Sequence, residues 1–409
     1  MKAGMRAAVR AIMADVQAKV KALAERAERL ADEATAQRFE RDLRTVGQSL
    51  VAGMLQRLLQ ANLDQQPREN VCPQCGGWWH NKGRRKRGLL SSVGGIELQG
   101  TYRHCARCGY GRHAADRLAG GSISGPMQEL LCLLGVALAS FQKAAEVSES
   151  LLGVRVSGEL IRTVSQQEGR RASRRAPSPP AVGTGADLTG SCDGTMVHTR
   201  EEGWKELKAY LLRCDSGSHG AAYLETSRQF APRLRDAAVS MQASRAGRLF
   251  WVSDAAEWIG RAVAVQLPTA VQIVDIWHAY QHIHEASRSI HGEGTPQAET
   301  WAETWCEQLR LQGARAVWNR LRRTRYRDVA RQQALRGLLG FLDRHASRMD
   351  YPRYEREGWP ISSGPMESFC KQLGRRLKGP GMRWSKANVD PMAKLASLWS
   401  TGQWTAYWS

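Results

Sequence analysis

Two cysteine pairs constrain this chain more than any other feature. "CPQC" sets Cys72 and Cys75 two residues apart, and "CARC" repeats the spacing at Cys105 and Cys108. Residues 76–104 between them contain "GLLSSV-GG-IELQGTYRH", which reads as a β-hairpin turning at Gly94-Gly95. Two Cys-x-x-Cys knuckles at hairpin ends bring four thiolates into a tetrahedron, the shell of a structural zinc ion. A closed four-sulfur shell leaves no open position, so such a zinc would hold structure rather than catalyse. Unrelated cysteines or a redox pair are the alternatives. With nine cysteines in the chain, a reduced cytosolic setting fits better than a disulfide framework. The N-terminus lacks a signal-peptide core, and no apolar run approaches the roughly 18 residues of a membrane span.

Around this segment the pattern changes several times, which predicts an α+β multidomain chain. Residues 1–66 have no proline, and their apolar residues recur at three- and four-residue spacing. They predict a helical arm, with irregular heptads that favour bundle packing over a long coiled coil. The zinc ribbon spans 67–120. Residues 121–175 return to helix, with Gly153 suited to a tight turn and Ser157 to an N-cap. That segment is either a helix-turn-helix that contacts DNA or an ordinary helical hairpin. "RRASRRAPSPPAVGTGAD" lacks periodicity, and a linker is placed at 176–186.

From 187 to 285 the reading is three antiparallel strands, then strand-helix-strand-helix. The strands are "DLTGSCDGTMVHT", "WKELKAYLLRC", "AAYLETS", "RLFWVSD" and the start of "AVQIVDIWHAY". This order suits a mixed sheet of ribonuclease-H type. Residues 286–355 read as Arg-rich helix, and 356–409 contain an apparent helix start carrying Glu367 in its first turns.

Charge narrows the partners. Lys plus Arg number 59 against 39 Asp plus Glu, a formal net charge of +20 with a pI near 10.0. Such an excess costs self-repulsion, most simply offset by a polyanion, and nucleic acid is the expected one. The charge concentrates in "KGRRKR" (Lys82 to Arg87, with Arg84, Arg85, Lys86 and Arg87), "RRASRR" (Arg170 to Arg175) and "RLRRTRYR" (Arg320 to Arg327).

Asp193-Gly194 lies between β-prone runs and reads locally as a turn. A second reading makes Asp193 a metal ligand on a strand, with Gly194 leaving room for metal or phosphate. Phosphodiester chemistry at neutral pH uses carboxylates that hold two Mg²⁺ about 4 Å apart, with Mn²⁺ able to substitute. Asp254 ends a strand expected beside that of Asp193, so the two carboxylates can converge. Glu367 would join them from a helix behind the sheet. Acids are common, and spacing alone does not single out these three.

"CDGTMV", "EGWKELKAY", "WVSDAAEWI", "VDIWHAYQHI" and "SSGPMESFCKQLGRRLKGPGMRW" occur in that order after the cysteine pairs. Together they resemble the ISKra family of bacterial insertion-sequence transposases, related to the Mutator-type group, over nearly the whole chain. The resemblance implies a DDE ribonuclease-H-like domain with an all-helical insertion between the second Asp and the Glu. It matches Asp193, Asp254 and Glu367 to the three acids. Asp275 stands where the Mutator-type motif has Cys, and His278 is retained, so Asp275 rivals Asp254 as second ligand. His278 would orient a phosphate or an acid, or serve as a structural hydrogen-bonding group. Arg375, Arg376 and Lys378 would clamp phosphates near a helix end, and Trp384 would stack on an unpaired base or belong to the core.

The resulting expectation is a transposase of the bacterial cytoplasm and nucleoid, a homodimer or higher assembly. It would bind double-stranded DNA at element ends and target, cutting and joining strands with Mg²⁺. Rival readings are a structure-selective nuclease on the same fold, a non-catalytic zinc-ribbon regulator and an RNA-binding protein.

Overall fold

The computed structural model of the chain describes residues 2–67, 70–119 and 121–409. It divides into two compact units, Met1–Ser165 and Gln166–Ser409.

The first unit opens with two helices, α1 (Ala3–Ala27) and α2 (Glu33–Asp64). They pack as a hairpin because the helical pattern breaks at Asp32, whose side chain accepts from Thr35 N in a reciprocal capping box. Arg57 and Lys19 both reach Asp15 across or along the pair, at 3.3 and 3.4 Å. The hairpin that follows is β1 (Trp79–Ser91) and β2 (Gly94–Cys105), with β3 (Gly111–His113) added to β2. Its turn is Ser92-Val93, not the expected Gly94-Gly95, since Ser91 pairs with Gly94. The observed register sets buried Leu89 opposite buried Ile96. A turn at the glycines would have put Leu89 opposite Gly100, and apolar cross-strand pairing decides the matter. The Ser91 hydroxyl closes the turn by donating to Gly94 O at 2.6 Å.

After α3 (Asp116–Ala119) come α4 (Gly125–Ala137), α5 (Phe141–Leu152) and α6 (Gly158–Arg175). Gly153 ends α5 in the left-handed conformation with φ 63°, which a side chain would oppose. Leu160 N donates to the Ser157 hydroxyl at 3.1 Å, so both ends of this connection are capped.

The second unit is built on a five-stranded mixed sheet. Its strands are β4 (Asp187–Thr199), β5 (Gly203–Cys214), β6 (Gly217–Tyr223), β7 (Arg248–Ser253) and β8 (Val271–Val274). Their order is β6-β5-β4-β7-β8. The pairs β4–β5 and β5–β6 are antiparallel, while β4–β7 and β7–β8 are parallel. β6 ends earlier than its sequence suggests, because Thr226 leaves the sheet to form a capping box for α7 (Ser227–Ser240).

One sheet face carries Leu188, Cys192, Tyr210, Leu212 and Trp251 against α7 and α8 (Glu257–Gln266). The other carries Phe250, Val252 and Ile273 against a helical group. That group is α9 (Ile276–His291), α10 (Pro296–Leu321), α11 (Val329–His345) and α12 (Tyr351–Arg356). The chain then returns as α13 (Gly364–Leu377), which packs on β4 and β5, followed by α14 (Lys386–Ser400) and α15 (Trp404–Trp408). No helix among the described residues is long and apolar enough to cross a membrane.

Candidate functional site

Asp193 is not in a turn. β4 runs unbroken through it, and Asp193 pairs with Ala209 across the antiparallel ladder. On its other side, β4 pairs with β7 from Asp187↔Arg248 to Gly190↔Trp251. Continuing that parallel register by three residues sets Asp193 level with Asp254, just past the end of β7. Alternation puts both on the face that carries Asp187 and Arg248, whose ion pair at 2.9 Å marks the same side three alternations earlier. Burial pushes the Asp193 carboxyl above the usual carboxylate range; the Asp254 and Glu206 charges add to this, and the Gly194 N–H opposes it. That N–H donates to Asp193 Oδ1 at 2.6 Å. Asp254 is half-buried and accepts from Ala256 N at 3.1 Å.

Glu367 lies in the first turn of α13, on the helix that covers this face. Its side chain is 66% exposed and pairs with Lys371 at 2.7 Å. One turn further, Cys370 is buried and hydrogen-bonded to Asp193, and burial and then the Asp193 charge push its thiol up. Residues three apart share a helix face, so Glu367 stands one turn from the thiol that touches Asp193. The three acids do not form a closed ligand set. Among the described residues, only the four cysteines bring three or more candidate ligand atoms within 4.8 Å of one another.

The space above Gly194 is taken. A Cβ there would meet Glu206 Oε1 at 2.2 Å, so a protein carboxylate occupies the room expected for metal or phosphate. Glu206 pairs with Lys208 at 2.5 Å, and the Lys208 side chain is only 6% exposed. Lys208 lies 5.5 Å over the Trp258 ring. Lys208 is therefore withdrawn from solvent. Lys205 pairs with Glu202 at 3.0 Å.

Asp275 is 5% exposed and fully engaged by protein donors. Its Oδ1 accepts from Trp277 N at 2.6 Å and His278 N at 3.2 Å, capping α9. Its Oδ2 accepts from both Ser363 N and Ser363 Oγ at 2.5 Å. Ser363 immediately precedes α13, so Asp275 ties the start of α9 to the segment that delivers Glu367. The His278 ring lies edge-on to His282, with centroids 4.9 Å apart, and near Phe341 at 6.3 Å. It belongs to an aromatic cluster between α9 and α11.

Two expected DNA contacts are buried. Arg376 is 2% exposed, lies 4.9 Å over the Trp384 ring, and is lowered to about 10 by burial. Trp384 is 7% exposed and donates from Nε1 to Leu377 O at 3.1 Å. It stacks on Arg376 from the core side and offers no face to a base. Arg375 and Lys378 are exposed. On β1, Arg84 pairs with Asp64 at 3.3 Å, Lys86 with Glu97 at 2.8 Å and Arg87 with Asp116 at 3.2 Å. Arg85 lies 4.6 Å over the Tyr102 ring.

The cysteines converge in the first unit. Cys72 and Cys108 sulfurs are 3.7 Å apart, and those of Cys75 and Cys105 are 3.5 Å apart. Sulfurs at about 2.3 Å from a tetrahedral zinc stand near 3.8 Å from one another, so the spacing fits that ion. Each knuckle closes alike: Gly76 N donates to Cys72 O and Gly109 N to Cys105 O, both at 2.9 Å. Both glycines are left-handed, with φ of 69° and 73°, where a side chain would be strained. The Cys105 thiol is lowered to about 7 as backbone N–H groups of Cys108 and Arg107 point at its sulfur. These four thiols can hold a metal ion.

No family profile and no curated protein sequence matches the chain. Three solved structures show slight similarity. The Drosophila P element transposase strand transfer complex is 8% identical, covering 68% of this chain and 79% of that one, with a TM-score of 0.26. The simian T-cell lymphotropic virus intasome in complex with PP2A regulatory subunit B56 gamma is 12% identical, covering 45% and 60%, with a TM-score of 0.17. NurA bound to dAMP and manganese is 12% identical, covering 53% and 65%, with a TM-score of 0.14. The chain thus spans less than two thirds of the intasome and NurA chains. Similarity this slight assigns neither fold nor function.

Proposed function

We propose that the chain is a DDE transposase that cleaves and joins DNA strands, with Asp193, Asp254 and Glu367 as its metal-binding acids. One observation carries the reading: the parallel β4–β7 register, continued by three residues, sets Asp193 in the middle of β4 level with Asp254 just past the end of β7, on the face covered by the Glu367 helix. The sheet order, three antiparallel strands followed by two parallel ones, supports a ribonuclease-H-like catalytic domain. The ordered motifs that resemble the ISKra family support the finer assignment.

Asp193 is raised chiefly by burial, and the neighbouring Asp254 carboxylate adds repulsion to it. A divalent cation, Mg²⁺ or Mn²⁺, held by Asp193 and Asp254 would relieve that repulsion, and would supply activation of the attacking oxygen and stabilisation of the leaving one. Glu367 would exchange Lys371 for that site by turning its side chain, since its Cα already lies one helical turn from Cys370. Asp275 is spent on Ser363 and the α9 cap, which favours Asp254 as the second ligand. Cys370 touches Asp193 and would hold its orientation.

In this reading, residues 1–66, the zinc ribbon at 67–120 and the helices at 121–175 recognise element ends. The catalytic domain comprises 187–285 and 356–409, with 286–355 inserted. The exposed apolar residues Met13, Val20, Leu43 and Val51 on the α1–α2 hairpin support assembly as at least a dimer. Arg84, Arg85, Lys86, Arg375 and Lys378 remain as surface cations for phosphate.

The test is an oligonucleotide assay with the full chain, element-end duplexes and Mg²⁺ or Mn²⁺. The expected result is nicking at the ends and joining of pre-cut ends, with both abolished by Asp193→Asn or Glu367→Gln while end binding persists. Hydrolysis without joining would identify a nuclease instead. Nicking that survives Asp193→Asn would remove the assignment altogether.

A further inference from the structure

We infer that the corner between α10 and α11 is a binding surface for the phosphate backbone of duplex DNA. This rests on the DNA-handling reading above and adds a location that the acids do not supply. From Arg320 to Arg331 the chain carries Arg320, Arg322, Arg323, Arg325, Arg327 and Arg331 against a single acid, Asp328. The six arginines are all exposed. Asp328 is occupied as the α11 cap, accepting from Arg331 N at 2.9 Å.

Elsewhere in the same helical group three exposed arginines are neutralised locally. Arg310 pairs with Glu355 at 2.7 Å, Arg315 with Asp343 at 3.0 Å and Arg353 with Glu357 at 2.9 Å. At the corner, Arg320 donates to Gln308 and Arg325 to backbone carbonyls of Arg322 and Thr324. Arg322, Arg323, Arg327 and Arg331 have no carboxylate partner among the described residues. Concentrating like charge on one turn destabilises a fold unless an anion meets it.

The corner also lacks the features of a single-strand platform. Trp318 is packed against the core and covered by Arg322, whose guanidinium lies 4.8 Å over its ring. Tyr326 is likewise packed against the core. With no free aromatic face to stack on bases, the surface offers charge alone, which suits backbone contact on a duplex.

The experiment measures the salt dependence of binding by the full chain to a duplex of fixed length. It compares wild type, Arg322→Ala/Arg323→Ala/Arg327→Ala/Arg331→Ala, and a control with the same net charge, Arg261→Ala/Arg310→Ala/Arg315→Ala/Arg353→Ala. Thermal unfolding first establishes that both variants remain folded. Each phosphate contact contributes about 0.9 to the slope of log K against log salt, so losing four should flatten it by about 3–4. The control should leave the slope nearly unchanged. An unchanged slope in the corner variant overturns the inference, as does an equal loss in the control. It is also overturned if the corner variant loses affinity for single-stranded RNA but not for the duplex. Duplex binding with the expected flattening but no metal-dependent cleavage would overturn the catalytic reading and leave this surface standing.

Discussion

Asp275→Asn separates two roles that the sequence leaves open for this residue. The asparagine can keep its carbonyl oxygen where Oδ1 accepts from Trp277 N and His278 N. Its NH₂ then replaces Oδ2 and confronts Ser363 N and Oγ, each 2.5 Å from the present oxygen. The Ser363 hydroxyl can rotate to accept, but the backbone N–H cannot. One charge-assisted bond is lost and a partly buried donor is left unpaired, a cost of about 2–4 kcal/mol. Asp275→Ala also removes the α9 cap, adding about 1 kcal/mol. Urea unfolding followed by tryptophan fluorescence measures the loss, and Mn²⁺ titration by electron paramagnetic resonance measures metal binding. We expect a lower unfolding midpoint, retained metal binding, and slower strand cleavage because the approach to Glu367 is loosened. Asp254→Asn should do the reverse: stability kept or raised, since its one protein bond survives and its repulsion of Asp193 ends, with metal binding lost. If Asp275→Asn left stability within about 1 kcal/mol of wild type and abolished metal binding, the capping argument would be refuted.

Asp193 gives a pH prediction with a defined sign. Its pKa is raised in the folded chain, so between the ordinary value of 3.8 and the raised one the folded state binds more protons and stability falls as pH rises. Asp193→Asn should therefore unfold at a higher temperature than wild type at neutral pH, and Mg²⁺ should raise the midpoint of wild type but not of the variant. Gly194→Ala should cost about 1–3 kcal/mol by pushing the Glu206 carboxylate away from Lys208, with much of the loss recovered in Gly194→Ala/Glu206→Ala/Lys208→Met; denaturant midpoints of the series test this. Cys75→Ser should lower bound zinc from one ion per chain to none by elemental analysis. It should also release the β1–β2 amides to hydrogen exchange, since about 10–16 kcal/mol of apparent binding energy in small zinc folds is folding energy.

What the sequence reveals about this site follows from which residues obey a local period. The strand around Asp193 alternates clearly enough to override the turn preference of Asp-Gly, and β4 indeed runs through it. The cysteine knuckles are visible because their chemistry is confined to four residues each. Glu206 over Gly194 is a different kind of fact, since it depends on the register Met196↔Glu206 between separate strands. The hold of Asp275 on Ser363 likewise joins residues 88 apart in sequence. No local pattern encodes either contact.

The misplaced arginine is more instructive, because a signal for it was present. Met366, Phe369, Cys370, Leu373 and Leu377 are the buried apolar residues of α13, recurring at three- and four-residue spacing. Arg376 falls three residues after Leu373, on that same stripe, whereas Arg375 does not. Lys208 repeats the lesson on a strand: it falls within the run Leu207–Leu212, buried on both faces of the sheet, whereas Lys205 lies before that run. In both cases side-chain charge suggests the surface and the apolar pattern specifies the interior. The pattern prevails because reversing it would expose a whole apolar stripe or run, whereas one cation can be accommodated by an aromatic ring or a carboxylate. Arg376 has Trp384 and Lys208 has Glu206 with Trp258. By the same criterion Arg322 has the Trp318 ring, whereas Arg323, Arg327 and Arg331 have neither a buried stripe to join nor an ion pair among the described residues, since Asp328 is taken up as the α11 cap.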